Sequence, residues 1–150
     1  DSGLRVMLDL KNYTPSLIRQ VSEAFSREEW ADRIIVSSHV HQDSRMVARM
    51  IPGARSAWSL PQVDLTGVNV PVPTSHQDML HWREILPYRI EDALRFRACN
   101  LLSVQYELLS PELSIMCQSY GVGIYAWTAQ DLAKRDELLR LPLEGVVSEV

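Results

Sequence analysis

The segment 5–11 has the sequence RVMLDLK, and it decides the fold. It is an apolar run typical of a buried strand, and an acid and a base stand at its carboxyl end. Asp9 and Lys11 lie two residues apart, so on a strand their side chains point to the same face. A second apolar run near the other end closes with the sequence AWT at 126–128. In an α/β barrel the active site forms where strands end, so both strings are candidates for chemistry.

The composition is that of one ordinary globular domain. The chain has 150 residues, of which 46% are hydrophobic and 23% charged, with a formal net charge of −4. That charge gives no electrostatic reason to expect a nucleic-acid partner, and no apolar run approaches the roughly 18 residues of a membrane span. Cys99 and Cys117 lack metal-site spacing, and we expect two reduced, buried thiols.

Strand and helix patterns alternate along the chain, which indicates a parallel sheet covered by helices. Helices are predicted after the Thr14-Pro15 and Ser110-Pro111 pairs, where a capping residue precedes a proline. We expect a shorter helix capped by Asp43 or Ser44, and one over 82–96 broken at Pro87. Residues 61–77 are predicted to form an irregular loop or insertion. Six strands are expected, at 5–10, 34–36, 54–60, 101–106, 122–127 and 145–147.

Three strings in order resemble the C-terminal portion of glycerophosphodiester phosphodiesterases. The first is LDLK at 8–11, where that family has Glu-Ile-Lys; the second is AWTAQ at 126–130, where it has Val-Trp-Thr-Val-Asn. The third is GVVSE at 145–149, in the place of Gly-Ile-Ile-Thr-Asp. The resemblance spans nearly the whole chain. It implies a (β/α)8 TIM barrel that is incomplete here, with about the last six strand–helix units present in a single partial domain over 1–150.

The resemblance also implies roles for three residues. Asp9 stands where the family has a metal-binding glutamate, so it would be a ligand of Mg²⁺ or Ca²⁺. Lys11 would be the catalytic residue that contacts the substrate phosphate, although it could instead simply pair with a neighbouring carboxylate. Trp127 would bind the glycerol or alcohol part of a glycerophosphodiester or lysophospholipid. The implied reaction is metal-dependent hydrolysis to an alcohol and glycerol phosphate.

Several motifs of the family are missing from the sequence. Its two catalytic histidines lie in His-Arg-Gly and His-Asp motifs, and two more metal ligands lie in a Glu-x-Asp motif, all upstream of the strand that ends at Asp9. A TIM barrel needs roughly 200 or more residues. We therefore expect the first strands to lie outside this sequence, the chain to be inactive alone, and its open barrel edge to favour self-association.

Other interpretations remain open at this stage. The sequence is compatible with a related barrel of the sphingomyelinase D or phosphoinositide phospholipase C type, or with a non-catalytic relic that acts as a binding module. His39 and His41 flank Val40 just past a strand, and with Asp43 they offer three zinc ligands. No fourth ligand is identifiable, so the pattern favours ordinary loop histidines.

Overall fold

A computed structural model describes residues 5–11, 14–27, 30, 32–61, 70–96 and 98–149. Within them, no helix is both long enough and apolar enough to cross a membrane. The strands are β1 (Val6–Leu10), β2 (Ile34–Ser38), β3 (Arg55–Leu60), β4 (Leu101–Gln105), β5 (Gly123–Ala129) and β6 (Gly145–Ser148). The helices are α1 (Pro15–Ala24), α2 (His41–Ala48), α3 (His76–Arg95), α4 (Pro111–Tyr120) and α5 (Leu132–Leu138).

The six strands form one parallel sheet in sequence order, from β1 to β6. Helices follow the first five strands, so each connection returns the chain to the same end of the sheet. The sheet curls into a partial TIM barrel, and the predicted incomplete (β/α)8 architecture is confirmed. Among the described residues, β1 and β6 each pair on one side only.

Alternate strand residues divide the core between the two faces of the sheet. The outer face carries the larger cluster, in which Trp58, Leu102 and Ile124 pack beneath the helices. A second outer cluster joins the beginning of the sheet to α1 and α2. The concave face carries a small apolar layer of Ile35, Ala57 and Leu101, against which Met7 and Tyr125 pack. Beyond that layer, toward the carboxyl ends of the strands, the concave face is polar, and the candidate site lies there.

Both predicted cap-and-proline helix starts are present. The hydroxyls of Thr14 and Ser110 accept hydrogen bonds from the backbone N–H groups of Leu17 and Leu113, at 3.2 and 3.1 Å. Helix α4 ends at Gly121, whose φ of 68° is the left-handed conformation that glycine adopts without strain. The helix-start signals therefore act locally, as the sequence predicts.

Helix α3 corrects two expectations. It spans His76–Arg95 without interruption and contains Pro87, so the predicted break at Pro87 is wrong. An interior proline costs about 3 kcal/mol in an exposed helix. Here it lies on the buried face with Leu86, Ile90 and Leu94, and burial of that face outweighs the penalty. The helix begins after Ser75, so 76–77 are not part of the loop, while 62–69 lie outside the described residues.

Helix α2 also differs from its prediction. It begins at His41, after Val40, with no side-chain cap, so Asp43 and Ser44 lie inside it rather than at its start. Its buried residues are Ser44, Val47 and Ala48. The Met46 side chain, by contrast, is 44% exposed. Helix α2 therefore packs against β2 and β3 through its smallest side chains.

An ion pair lies at the amino-terminal end of the sheet. The Arg55 guanidinium donates two hydrogen bonds to the Glu144 carboxylate, at 2.6 and 2.8 Å, and both side chains are 34% exposed. These bonds hold the pKa of Glu144 below its ordinary value and raise that of Arg55. The pair links β3 to the start of β6 and lies against Gly123 of β5. A Cβ atom added to Gly123 would lie only 2.0 Å from Glu144 Oε1.

Candidate functional site

The carboxyl ends of the six strands line an open cavity of about 410 Å³. Every strand contributes to it, because side chains two residues apart point to the same concave face. It lies at the opposite end of the sheet from the Arg55–Glu144 pair, at the end where TIM-barrel enzymes carry their active sites. The cavity is lined by Met7, Asp9, Lys11, Ser37, His39, Ser59, Ser103, Trp127, Thr128 and Val147.

The acid and base of the opening strand lie side by side in this cavity. Lys11 Nζ is 2.7 Å from Asp9 Oδ2, and the two side chains are 62% and 46% exposed. Lys11 therefore does pair with a neighbouring carboxylate, as one reading of the sequence expected. An ion pair this exposed contributes at most about 1 kcal/mol to folding, so it leaves the lysine free to exchange Asp9 for a ligand oxygen.

His39 joins this pair, although the sequence favoured an ordinary loop residue. Its Nε2 is 3.5 Å from Lys11 Nζ, and its Nδ1 is 3.3 Å from the carbonyl oxygen of Ser59. A carbonyl oxygen can only accept, so Nδ1 of His39 is the donor in the contact with Ser59. The backbone of His39 is held as well, since the Trp58 indole donates to its carbonyl at 3.2 Å.

Strand β5 brings two further residues to the cavity. Trp127 and Thr128 both line it, and the pairing of β5 with β6 is irregular between Ala126 and Ala129. The peptide bond between Trp127 and Thr128 is cis. The indole Nε1 of Trp127 is buried and has no hydrogen-bond partner among the described residues. Thr128 belonged to the quoted string AWT but was given no role from the sequence.

Sequence reasoning missed three serines that form one wall of the cavity. Ser37, Ser59 and Ser103 come from β2, β3 and β4, and they are 2%, 5% and 3% exposed. A serine inside an otherwise apolar buried strand, as in LLSVQ at 101–105, was the available signal. That signal is weak, because serine tolerates most environments and this spacing matches no motif.

His41 is separated from this group, and the zinc interpretation is not supported by its position. Its ring packs against Trp58 with the ring centroids 4.9 Å apart, and it does not line the cavity. Burial lowers the pKa of His41; the nearby Arg45 lowers it further and Asp43 raises it. Across the described ranges, no three His, Cys, Asp or Glu side chains gather as a metal-binding group.

The lack of a metal-binding group among the described residues also applies to the Mg²⁺ or Ca²⁺ site expected at Asp9. Asp9 is the one carboxylate among the described residues that line the cavity, and its partner is Lys11. Calcium takes six to eight oxygen ligands, and magnesium is held through one or two carboxylates in near-octahedral geometry. The described residues do not fit such a site by themselves. A metal ligated by Asp9 requires further ligands from elsewhere.

Comparison with solved structures identifies the fold. The chain is similar to glycerophosphodiester phosphodiesterases from Thermotoga maritima (16% identity, TM-score 0.54) and Parabacteroides distasonis (14%, TM-score 0.59). It is also similar to an Agrobacterium tumefaciens structure assigned to the glycerophosphoryl diester phosphodiesterases (12%, TM-score 0.67). The alignments cover 96%, 97% and 95% of this chain, but 53%, 53% and 52% of the other chains.

The fold is thus that of a partial (β/α)8 barrel of the glycerophosphodiester phosphodiesterase type. The chain spans about half the length of the structures that it matches. No protein-family model matches the sequence, and no curated protein matches it either.

Proposed function

We propose that this chain forms the phosphate-binding part of a barrel that hydrolyses glycerophosphodiesters to an alcohol and glycerol phosphate. The observation that carries the proposal is the meeting of Asp9, Lys11 and Trp127 in one cavity at the carboxyl ends of the strands. The fold of the phosphodiesterases that the chain resembles supports it. The remaining catalytic groups would come from residues outside this sequence.

Lys11 is the residue proposed to contact the phosphate. Its ammonium is a compact point charge with three donors, two of which are directed at Asp9 and His39. A phosphodiester oxygen would take the third donor or displace Asp9. Water would attack the phosphorus while the bond to the alcohol oxygen breaks, and Lys11 would stabilise the negative charge on the phosphoryl oxygens.

Asp9 is proposed as one ligand of a divalent metal, Mg²⁺ or Ca²⁺, which would neutralise phosphate charge when bound. Because the described residues supply one carboxylate, this role depends on ligands from outside them. In this chain alone, Asp9 orients the lysine across the 2.7 Å ion pair. Trp127 is proposed to pack against the glycerol or alcohol part of the substrate.

Hydrolysis of a glycerophosphodiester in the presence of Mg²⁺ or Ca²⁺ tests this proposal. The full chain and its Lys11→Met variant are assayed with whatever further sequence the native protein carries, and Lys134→Met is the matched control. Lys134 also pairs with a carboxylate, Glu137, but lies outside the cavity. We expect Lys11→Met to lower kcat/KM about 10- to 100-fold, as for a lost hydrogen bond to a charged group. Equal activity of the two variants contradicts the proposal.

A further inference from the structure

His41 is a titratable side chain that lies beside the candidate site without lining it. It is the first residue of α2, and its ring packs against Trp58 with the ring centroids 4.9 Å apart. Its Nδ1 is buried and has no hydrogen-bond partner among the described residues. Buried polar atoms without a partner are uncommon in folded proteins. The proton state of this ring therefore has consequences for the fold around it.

The surroundings of His41 favour the neutral ring. A neutral imidazole can leave Nδ1 as a bare acceptor, whereas an imidazolium carries a hydrogen on both ring nitrogens. Protonation would therefore create a buried, charged donor at Nδ1, and no described group accepts from it. The amino-terminal end of a helix carries positive partial charge, which also disfavours a cation at this position. Burial lowers the pKa of His41, and the nearby Arg45 lowers it further.

The charges that act on His41 come from its own helix. Arg45 lowers its pKa and Asp43 raises it. Of the two strands packed against α2, β2 carries no charged side chain, and β3 carries only Arg55, at the amino-terminal end of the sheet. Helix α1, which shares an apolar cluster with α2, keeps its charged side chains exposed: Arg19 and Glu23. Among the described residues, Asp43 is thus the anion that favours protonation, and burial outweighs it.

Trp58 connects the His41 ring to the candidate site. The Trp58 indole donates to the carbonyl oxygen of His39 at 3.2 Å. The His39 ring is turned the other way, with Nε2 3.5 Å from Lys11 Nζ and Nδ1 3.3 Å from the Ser59 carbonyl oxygen. One buried tryptophan therefore contacts His41 with its ring and holds the backbone of His39 with its N–H.

The first turn of α2 continues directly from His39. The carbonyl oxygen of Val40 accepts from the N–H groups of Asp43 and Ser44, at 3.0 and 3.3 Å. The Ser44 hydroxyl donates to the His41 carbonyl oxygen at 3.0 Å. No side chain caps this helix start, so the turn depends on these bonds and on the packing of the His41 ring. Movement of that ring away from Trp58 would weaken the turn that follows His39.

We propose that His41 is a pH-sensitive positioning residue: as a neutral ring it holds the first turn of α2 against Trp58, and its protonation releases this turn together with His39. The released turn binds one more proton than the packed turn. Release therefore becomes easier as the pH falls below 6.5, the ordinary pKa of histidine. The inference concerns the fold beside the cavity and holds whether or not the cavity binds phosphate.

An NMR titration of the imidazole C–H signals in the full chain provides the first test. We expect the midpoint of His41 to lie below pH 6.5, because the folded protein has no place for the second ring hydrogen. The titration needs no variant and no ligand. A midpoint at or above pH 6.5 overturns the proposal, since protonation would then not oppose the packed state.

Amide hydrogen exchange against pH, expressed as protection relative to the unfolded chain, provides the second test. Between pH 6.5 and the His41 midpoint, protection of the Ser44 N–H should fall up to about 10-fold per pH unit, since release takes up one proton. The Trp58 indole N–H should lose protection in parallel. His41→Phe keeps an aromatic ring that cannot titrate, and this pH dependence should disappear. The matched control His81→Phe, an exposed histidine 6.2 Å from the ring of Trp82, should behave as the unchanged protein.

The outcomes of the exchange experiment decide the proposal without any ligand. The same pH dependence in His41→Phe overturns it, because another group would then be responsible. Loss of protection at Ser44 with the Trp58 indole still protected overturns it as well, because His39 would stay in place. If His41→Phe does not fold, pH-independent protection of Ser44 in the unchanged protein has the same meaning. None of these results affects the phosphate role proposed for Lys11.

Discussion

Replacing Gly123 with alanine should destabilise the protein through the Arg55–Glu144 ion pair. An added Cβ would lie 2.0 Å from Glu144 Oε1 and 2.8 Å from Leu101 Cδ2. Ordinary contact begins near 3.4 Å, so the carboxylate must move by roughly 1.4 Å. A free carboxylate would rotate away at little cost, but this one is held by two short bonds to the Arg55 guanidinium.

The expected loss follows from those two bonds. Hydrogen bonds between charged groups stabilise a protein by about 1.5–3 kcal/mol when they are shielded from water. Because both side chains are one-third exposed, we take a value in the lower part of that range, about 2 kcal/mol, for the Arg55–Glu144 pair. Alanine also lowers the conformational entropy of the unfolded chain, which stabilises the folded protein by about 0.5–1 kcal/mol. The net destabilisation should be about 1–1.5 kcal/mol, which lowers Tm by about 2–6 °C.

A double-mutant cycle measured by chemical denaturation isolates the cause. In a Glu144→Ala background, Gly123→Ala should cost clearly less, because only the crowding of Leu101 remains. Gly121→Ala is the control: its φ of 68° disfavours alanine, but nothing lies within 4 Å of the new Cβ. Its cost of about 1 kcal/mol should be the same with and without Glu144. If Gly123→Ala destabilises equally in both backgrounds, the reasoning is refuted, and crowding of Leu101 is responsible.

Three other predictions follow from the same structure. The hydrogen bonds from Arg55 hold the pKa of Glu144 below its ordinary value of 4.5. The ion pair therefore contributes its full stabilisation above pH 4.5, and this contribution is lost as the pH falls through the pKa of the folded state. Glu144→Gln should therefore flatten this part of the stability–pH curve measured by denaturant unfolding, and an unchanged slope would contradict it. Ser110→Ala removes the cap bond to Leu113 and should cost about 1 kcal/mol by the same assay, while a neutral result would show that the cap does not hold α4. Because β1 and β6 each have one unpaired side among the described residues, sedimentation velocity should show concentration-dependent self-association, and a monodisperse monomer would argue against it.

Local signals predicted most of the fold. The apolar runs located all six strands to within a few residues, and the Thr14-Pro15 and Ser110-Pro111 pairs located two helix starts. These features depend on near neighbours in the sequence. Pro87 failed as a break because the buried face of α3 outweighs the local penalty, and that face is defined only by the sheet that it covers. Tertiary packing of this kind leaves no signal at the proline itself.

The site was predictable only in part, for a related reason. Asp9, Lys11 and Trp127 were found through short strings at strand ends, and all three line the cavity. Their roles remain predictions. His39 was considered only as a zinc ligand and interpreted as an ordinary loop histidine. Ser37, Ser59 and Ser103 were not singled out, because their place in the cavity depends on three neighbouring strands. Which residues of different strands meet is determined by sheet register, and register is not visible in any one segment.

The central claim is that phosphate binds at the carboxyl ends of the strands through Lys11. Chemical-shift mapping with glycerol 3-phosphate tests this claim most directly. In ¹H–¹⁵N spectra of the full chain, we predict the largest shifts at Asp9, Lys11, His39 and Trp127, with none at Arg55. Lys11→Met should abolish them, and Lys134→Met should not. Shifts centred on the opposite end of the sheet, or shifts that persist in Lys11→Met, would contradict the account.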